Sequence, residues 1–310
     1  MIKRIHRKGS FMDIKNRYNS LAEECAKLAE EAILTEALLA PKPGLVDAKD
    51  SGAHKDMDIF TFVRSAVSLR EGFKEMFISG AMSPVPRNGL LAVIRPIGIR
   101  MEQEMFEATK GINTHKGIIF SMGLLLAAFG RKLSEDLYSG DSIPVFTPQD
   151  TERIFKIIME ITKGLVTKDF RDLEIKENLT HGEKLYLKYG FTGIRGEAEK
   201  GYPVLRDPVL PYLRSLDKQM TYEETLLEIL FLLMKHVEDS NIVTRGGMES
   251  LSYVRSSAER FLHDGGMGQQ NAYGKIAHMN EMFIERNLSP GGAADLLSLA
   301  IFIGKLEKIL

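Results

Sequence analysis

Cysteine is almost missing from this 310-residue chain: Cys25 stands alone, so no intrachain disulfide can form and a reducing, cytoplasmic setting fits. A surplus of either charge is missing as well. The 41 Lys and Arg nearly match the 42 Asp and Glu, for a formal charge of −1. No overall positive field would draw the chain to a nucleic-acid backbone or an anionic membrane, so nucleic-acid and membrane partners are not expected and any anion site must be local. Long hydrophobic runs are also lacking. The longest, Gly117 to Gly130, is broken by Ser121 and falls short of the roughly 20 residues that cross a bilayer, which predicts a buried core helix. Lys3, Arg4, Arg7 and Lys8 precede no apolar segment, so the start does not read as a secretory signal. Alternating strand patterns, a glycine-rich turn after a strand, internal repeats and low-complexity linkers are absent too. The chain is therefore expected to be all-α, with about ten helices in one catalytic domain over residues 13–310. Residues 1–12 are expected to form a disordered arm, with Met12 an alternative start.

What is present is helical periodicity. Ala22, Cys25, Ala26, Ala29, Ala32, Ile33 and Ala37 share one face of a helix that runs into Pro-Lys-Pro-Gly, residues 41–44, where the prolines force an extended loop to about Lys55. Met57 to Phe73 predicts a second helix. A proline-containing stretch, Ser83 to Pro96, separates it from helices over Ile99–Ala108 and His115–Leu133. Thr147-Pro148 and the capping box Thr221–Glu224 open two more, and further helices are expected over Gly247–His263, Gln270–Arg286 and Pro290–Leu306, the last capped by Ser289.

Five polar clusters sit in loops or at helix ends, where a rigid scaffold can aim them at a ligand. Lys42, Asp47, His54, Asp56 and Asp58 bracket a Pro/Gly-rich segment; its carboxylates and imidazole suit a divalent cation or acid–base work, or else Asp56 and Asp58 only favour a helix N-terminus. Asn113-Thr-His115-Lys116 precedes the apolar helix: His115 suits a general base and Lys116 a phosphate, unless Asn113 or Thr114 is simply an N-cap. Arg195-Gly-Glu197-Ala-Glu199, among Gly190, Gly193 and Gly201, reads as a metal, sugar or phosphate site or as an exposed ion-pair cluster. Asp239-Ser-Asn241 is expected at a helix C-terminus, its charge answered by Arg245 or a metal. Ser289-Pro-Gly291-Gly292 opens the last helix with amides that a ligand could approach closely, and Asp295 lies one turn above Gly291. Zinc spacings, a Walker loop and a Rossmann fingerprint do not occur.

Taken together, these clusters resemble the motifs of the triphosphoribosyl-dephospho-coenzyme A synthases, which serve citrate lyase and, in a related branch, malonate decarboxylase. The likeness rests on Pro-Lys-Pro-Gly-Leu-Val-Asp47, Gly-Ala-His-Lys-Asp-Met-Asp58, Gly-Ile-Asn-Thr-His-Lys-Gly117, Arg-Gly-Glu-Ala-Glu199, Asp-Ser-Asn241 with Arg-Gly-Gly247, and Ser-Pro-Gly-Gly292 with Ala-Asp-Leu-Leu297. Ser240 departs from an expected threonine, and Ala40 from threonine or serine. The resemblance implies transfer of the triphosphoribosyl group of ATP to the 2′-hydroxyl of 3′-dephospho-coenzyme A, with release of adenine. The product would be the prosthetic-group precursor of an acyl carrier protein, attached later by a separate holo-acyl-carrier-protein synthase.

Breaking an N-glycosidic bond builds positive charge on the sugar, so a carboxylate stabiliser and a base for the acceptor proton are expected. Asp56, Asp58 and Glu197 are the candidates, with His54 and His115 as alternatives. Lys42, Asn113, Lys116, Arg195, Arg245, Ser289, Gly291, Gly292 and Asp295 are expected to bind substrate, and Asp56, Asp58, Glu199 and Asp239 to hold magnesium. The segments Gly190–Gly201 and Gly265–Gly268 are the expected closing loops. An oligomer is compatible with all of this. The competing readings are a magnesium-dependent N-ribosyl hydrolase and a non-catalytic nucleotide-binding helical protein.

Overall fold

A computed structural model describes residues 11–216 and 220–310. Among them the chain forms fourteen α-helices and no strand, three of the helices shorter than eight residues. The helices are α1 (Phe11–Leu38), α2 (Ile59–Ser68), α3 (Arg70–Met82), α4 (Leu90–Thr109), α5 (Lys116–Glu135), α6 (Pro148–Ile161), α7 (Leu165–Asp169), α8 (His181–Tyr189), α9 (Gly193–Glu199), α10 (Leu210–Ser215), α11 (Tyr222–His236), α12 (Ser240–His263), α13 (Ala272–Glu285) and α14 (Gly291–Leu306). The all-α expectation holds, with more short helices than the periodicity suggested. Of the expected N-terminal arm, residues 1–10 lie outside the described residues, whereas Phe11 and Met12 belong to α1.

Helix α5 is the centre of the molecule. It is apolar on most sides, 78% of its most hydrophobic window is buried, and α3, α4, α6 and α14 pack around it. It is long and apolar enough to cross a membrane by composition alone, but here it is a core helix, as the sequence predicts. Glycines set its closest contact: a Cβ at Gly80 would stand 1.9 Å from the Ala127 carbonyl oxygen, and one at Gly130 2.2 Å from that of Phe77. Helices α3 and α5 therefore pack backbone to backbone, closer than the 8–10 Å axis spacing of ordinary pairs would allow with side chains between them.

Several boundaries differ from expectation for local reasons. The helix expected over Met57–Phe73 divides between α2 and α3, because the Ser68 hydroxyl takes the Ser65 carbonyl and the Leu69 amide turns to Ala66 instead. Helix α4 starts at Leu90 rather than Ile99 and runs through Pro96; that proline and Ala92, whose carbonyl loses its partner, are exposed to water. The expected start at Gly247 is instead a kink inside α12 (φ 74°, ψ −172°), and the expected loop Gly190–Gly201 contains α9. The capping boxes at Thr147 and Thr221 form as predicted. Ser289 does not cap α14; Pro290 occupies that position, and Ser289 turns elsewhere.

Candidate functional site

The Pro-Lys-Pro-Gly segment leaves α1 and folds over the start of α14. Asp47, 2% exposed, organises it by accepting the amides of Lys42 (2.8 Å), Lys49 (2.7 Å) and Asp50 (3.0 Å). Gly44, at φ +70°, lies so close to Leu288 that a Cβ would be 2.0 Å from its carbonyl oxygen. Asn280 clamps the same turn, accepting the Gly44 amide and donating to Asp50. Lys42 is 1% exposed and donates to the Glu36 carbonyl (2.6 Å) and carboxylate (2.5 Å). It is an internal cation, not the open phosphate ligand expected of it.

His54 closes the loop against Ser289. Arg245 donates to His54 Nδ1 (3.1 Å), to the Ala53 carbonyl and to Asn287. A guanidinium cannot accept, so Nδ1 supplies the lone pair and Nε2 carries the proton, which goes to Ser289 Oγ (2.9 Å). Burial, and then Arg245, lower the His54 pKa to about 4, so the ring is neutral. Asp56, mostly exposed, lies 3.9 Å from it. Asp58 is the N-cap of α2, binding the Thr61 amide (2.8 Å) and hydroxyl (2.7 Å), and those bonds lower its pKa.

Asp239 is fully committed. Oδ1 accepts the amides of Asn241 (2.9 Å) and Ile242 (3.3 Å) at the start of α12, while Oδ2 accepts those of Gly292 (2.7 Å) and Ala293 (3.2 Å) at the start of α14. One carboxylate thus caps two helices. It sits at a helix N-terminus, not the C-terminus expected from sequence, and backbone amides rather than Arg245 or a metal answer its charge. This contact also explains the paired glycines. A Cβ at Gly292 would stand 3.0 Å from Asp239 Oδ2, and one at Gly291 2.6 Å from the Asn241 amide nitrogen. The Gly291 amide bonds the Ser289 carbonyl, so neither glycine offers the free donor that was expected.

One turn further along α14, Asp295 is in the opposite state. A Cβ at Gly117 would be 2.0 Å from its Oδ2, so this carboxylate lies directly on the first turn of α5. It has no hydrogen-bond partner among the described residues and keeps a partial opening to solvent. Desolvation, then the charges of Glu36 and Asp239, raise its pKa well above the carboxylate range. Just before the first turn of α5, His115 is 2% exposed and its Nε2 has no partner. Thr114 donates to Ser65 Oγ (2.6 Å), which frees the Ser65 proton for His115 Nδ1 (2.7 Å) and leaves a neutral Nε2–H. Burial, and then nearby Lys42, lower this histidine's pKa to about 3. The His115 side chain does not cap α5; Asn113 Oδ1 accepts the Lys116 amide (3.3 Å). Lys116 points outward to Glu102 (2.7 Å).

The third motif makes contacts of its own. Arg195 pairs with Asp169 (2.8 Å) and rests over the Phe170 ring, and Glu199 accepts the amides of Gly164 and Val166 at the start of α7. Glu197 is half-buried, with Oε2 unpartnered and a pKa raised mainly by desolvation. Among the described residues no three His, Cys, Asp or Glu side chains gather to hold a metal ion. With Asp239, Glu199 and Asp58 all bound to backbone or hydroxyl groups, the expected magnesium set does not form a protein-built metal centre. The expected closing segment Gly265–Gly268 is fastened down, since buried Glu228 accepts the Met267 amide (2.7 Å) and presses on Gly266.

Sequence reasoning missed Glu36, Asn280 and Tyr202. Glu36 had a signal: it lies three, four and seven residues after Ile33, Ala32 and Ala29, a charge on the apolar face of α1. Tyr202 and Asn280 had none, because their neighbours come from distant segments.

The model of the family described as ATP:dephospho-CoA triphosphoribosyl transferase matches residues 22–310. The chain is 40% identical over 287 residues to a probable 2-(5″-triphosphoribosyl)-3′-dephosphocoenzyme-A synthase of Streptococcus equi subsp. equi, covering 92% of this chain and 97% of that one. A probable synthase of the same name from Streptococcus mutans is 41% identical over 286 residues, 91% of this chain and 96% of its own. The synthase of Haemophilus ducreyi is 41% identical over 289 residues, 91% of this chain and 88% of its own. No solved structure matches. On a match that includes every element of the cleft, the chain belongs to the ATP:dephospho-CoA triphosphoribosyl transferase family.

Proposed function

We propose that this chain transfers the 5-triphosphoribosyl group of ATP to the 2′-hydroxyl of 3′-dephospho-coenzyme A in the cleft between the α5 and α14 N-termini, with Asp295 as the reacting carboxylate. The bond between adenine and the ribose anomeric carbon breaks, the acceptor oxygen bonds to that carbon, and the acceptor gives up its proton. The triphosphate stays attached to the ribose. The observation that carries the assignment is the contrast in partners: Asp47, Asp58, Glu199 and Asp239 are satisfied by amides or hydroxyls, whereas Asp295 lies half-buried against Gly117 with none among the described residues. An uncompensated carboxylate costs several kcal/mol of desolvation unless a function retains it. Burial favours the neutral form of Asp295 in the free enzyme, and the positive charge that develops on the sugar favours the carboxylate, which then supplies opposite charge and takes the acceptor proton.

The remaining groups have roles set by their geometry. Neither histidine keeps a spare ring lone pair, so the base is a carboxylate; His115 Nε2–H instead donates to a substrate oxygen or nitrogen. The open first turn of α5 takes the place expected of the Gly291–Gly292 amides and, with Arg245 and Lys116 at the rim, receives the triphosphate. Magnesium enters with ATP as the counter-ion of its phosphates, which need few protein ligands. The product passes to a separate carrier-protein synthase in the cytoplasm, in citrate lyase or malonate decarboxylase metabolism.

The test is to incubate the protein with ATP, magnesium and 3′-dephospho-coenzyme A, omitting each in turn, and to follow adenine and product mass by chromatography. Adenine that appears only with acceptor, together with an acceptor heavier by one triphosphoribosyl unit, is the expected result. Adenine formed without acceptor would overturn transfer in favour of hydrolysis.

A further inference from the structure

Near Asp295, Ser121 Oγ and Tyr202 Oη are buried with only each other to meet, and Glu197 Oε2 is buried without a partner. Ser121 and Tyr202 are fully enclosed, at 0% exposure. Each orphan of this kind costs about 1–3 kcal/mol, and native interiors hold few of them. Such groups brought together from two segments, α5 and α9 with the turn that follows it, call for a reason. Ser121 lies one turn after Gly117 on α5 and so continues the helix face on which Asp295 sits. Tyr202 follows Gly201 just after α9, both in left-handed backbone (φ 72° and 50°), a conformation costly for an aromatic residue. That turn, closed by the Tyr202 amide on the Glu197 carbonyl (2.7 Å), directs the ring inward against Phe155. There the Tyr202 hydroxyl faces Ser121 and lies within electrostatic reach of both Glu197 and Asp295. Glu197 is the outer end of the row, with Lys200 and Arg206 close by.

We propose that Ser121, Tyr202 and Glu197 form a proton-exit relay that acts through Asp295. The proposal rests on the role given to Asp295 above and extends it to residues that never touch substrate. When the acceptor O–H breaks, its electron pair forms the bond to the anomeric carbon and its proton bonds to an Asp295 oxygen. Asp295 then gives a proton to Ser121 Oγ, whose own proton moves to Tyr202 Oη, whose proton in turn moves to Glu197 Oε2. The hydroxyls are unchanged, Asp295 is a carboxylate again, and Glu197 is neutral until it releases the proton to solvent. Burial equips Glu197 to hold that proton.

The experiment measures dephospho-coenzyme A-dependent adenine release for wild type, Tyr202→Phe, Ser121→Ala and Glu197→Gln, with added imidazole or formate as rescuing bases. Each variant is expected to lose at least about 10-fold in kcat with both KM values unchanged, to show a larger solvent isotope effect, and to recover part of the loss with the small base. Thermal midpoints should change little for Tyr202→Phe, whose hydroxyl meets only Ser121. A kcat within about two-fold of wild type in both Tyr202→Phe and Glu197→Gln, or a loss that no base rescues and that raises KM, would overturn the relay. If Tyr202→Phe does not fold, Ser121→Ala and Glu197→Gln decide. A wild type that releases no acceptor-dependent adenine refutes the transfer reading itself, a different outcome.

Discussion

The two ends of the first turn of α14 treat a buried carboxylate in opposite ways. At the α12–α14 junction Asp239 accepts four backbone amides, and glycines at 291 and 292 make room for it. At the α5–α14 contact, one turn on, Asp295 lies against Gly117 with no hydrogen bond among the described residues and near the negative charges of Glu36 and Asp239. Both carboxylates come from polar motifs near the start of a helix. Their partners, not their sequence context, separate a fastening from a reagent.

The contrast can be broken first where the effect is largest. Asp295→Asn should lower kcat by about 10²–10³, the usual loss when one preorganised electrostatic group is removed, while stability stays level or increases because an unpaired charge is gone; steady-state kinetics and thermal unfolding check both halves. Asp239→Ala should do the reverse, costing about 1–4 kcal/mol of stability, since two helix N-termini lose their cap, as read from denaturant unfolding.

Acid sharpens the contrast further. His54 and His115 have pKa values lowered from 6.5 to about 4 and about 3, so the unfolded chain binds more protons between pH 6.5 and those values. Stability from each is present above pH 6.5 and is lost as pH falls, by up to about 1.4 kcal/mol per pH unit per histidine. Glu36, Asp239 and Asp295, all raised by burial, act in the opposite sense and gain stability on acidification. His115→Gln should therefore flatten or reverse the acid slope of stability relative to wild type between pH 6.5 and 4, which denaturant titrations at several pH values would show. The smallest change is Gly292→Ala, whose new Cβ needs only a small shift of Asp239 at 3.0 Å; about 1 kcal/mol or less should be lost. Gly117→Ala provides the foil, since its Cβ at 2.0 Å must displace Asp295 and should cost activity far more than stability.

The helical class, the core helix α5 and the capping boxes were legible in the sequence because each is a local pattern: apolar periodicity, or a hydroxyl three residues before a carboxylate. The motif residues were legible as a set, and the fold does bring His54, Arg245 and Ser289 together, and Asp295 onto the Asn-Thr-His-Lys-Gly motif at Gly117. Their individual roles were not. Whether Lys42 meets a phosphate or Glu36, and whether Asp239 meets a metal or four amides, depends on chain segments 6 to 54 residues away in sequence. Pro96 misled because a proline on a water-facing helix surface loses a bond that solvent replaces.

The most direct measurement is to compare Asp295→Asn and Asp239→Asn side by side, recording acceptor-dependent adenine release and the thermal midpoint of each. The account predicts losses on opposite axes: turnover without stability for Asp295, and stability ahead of turnover for Asp239. An Asp295→Asn protein that melts early yet keeps its turnover would contradict it.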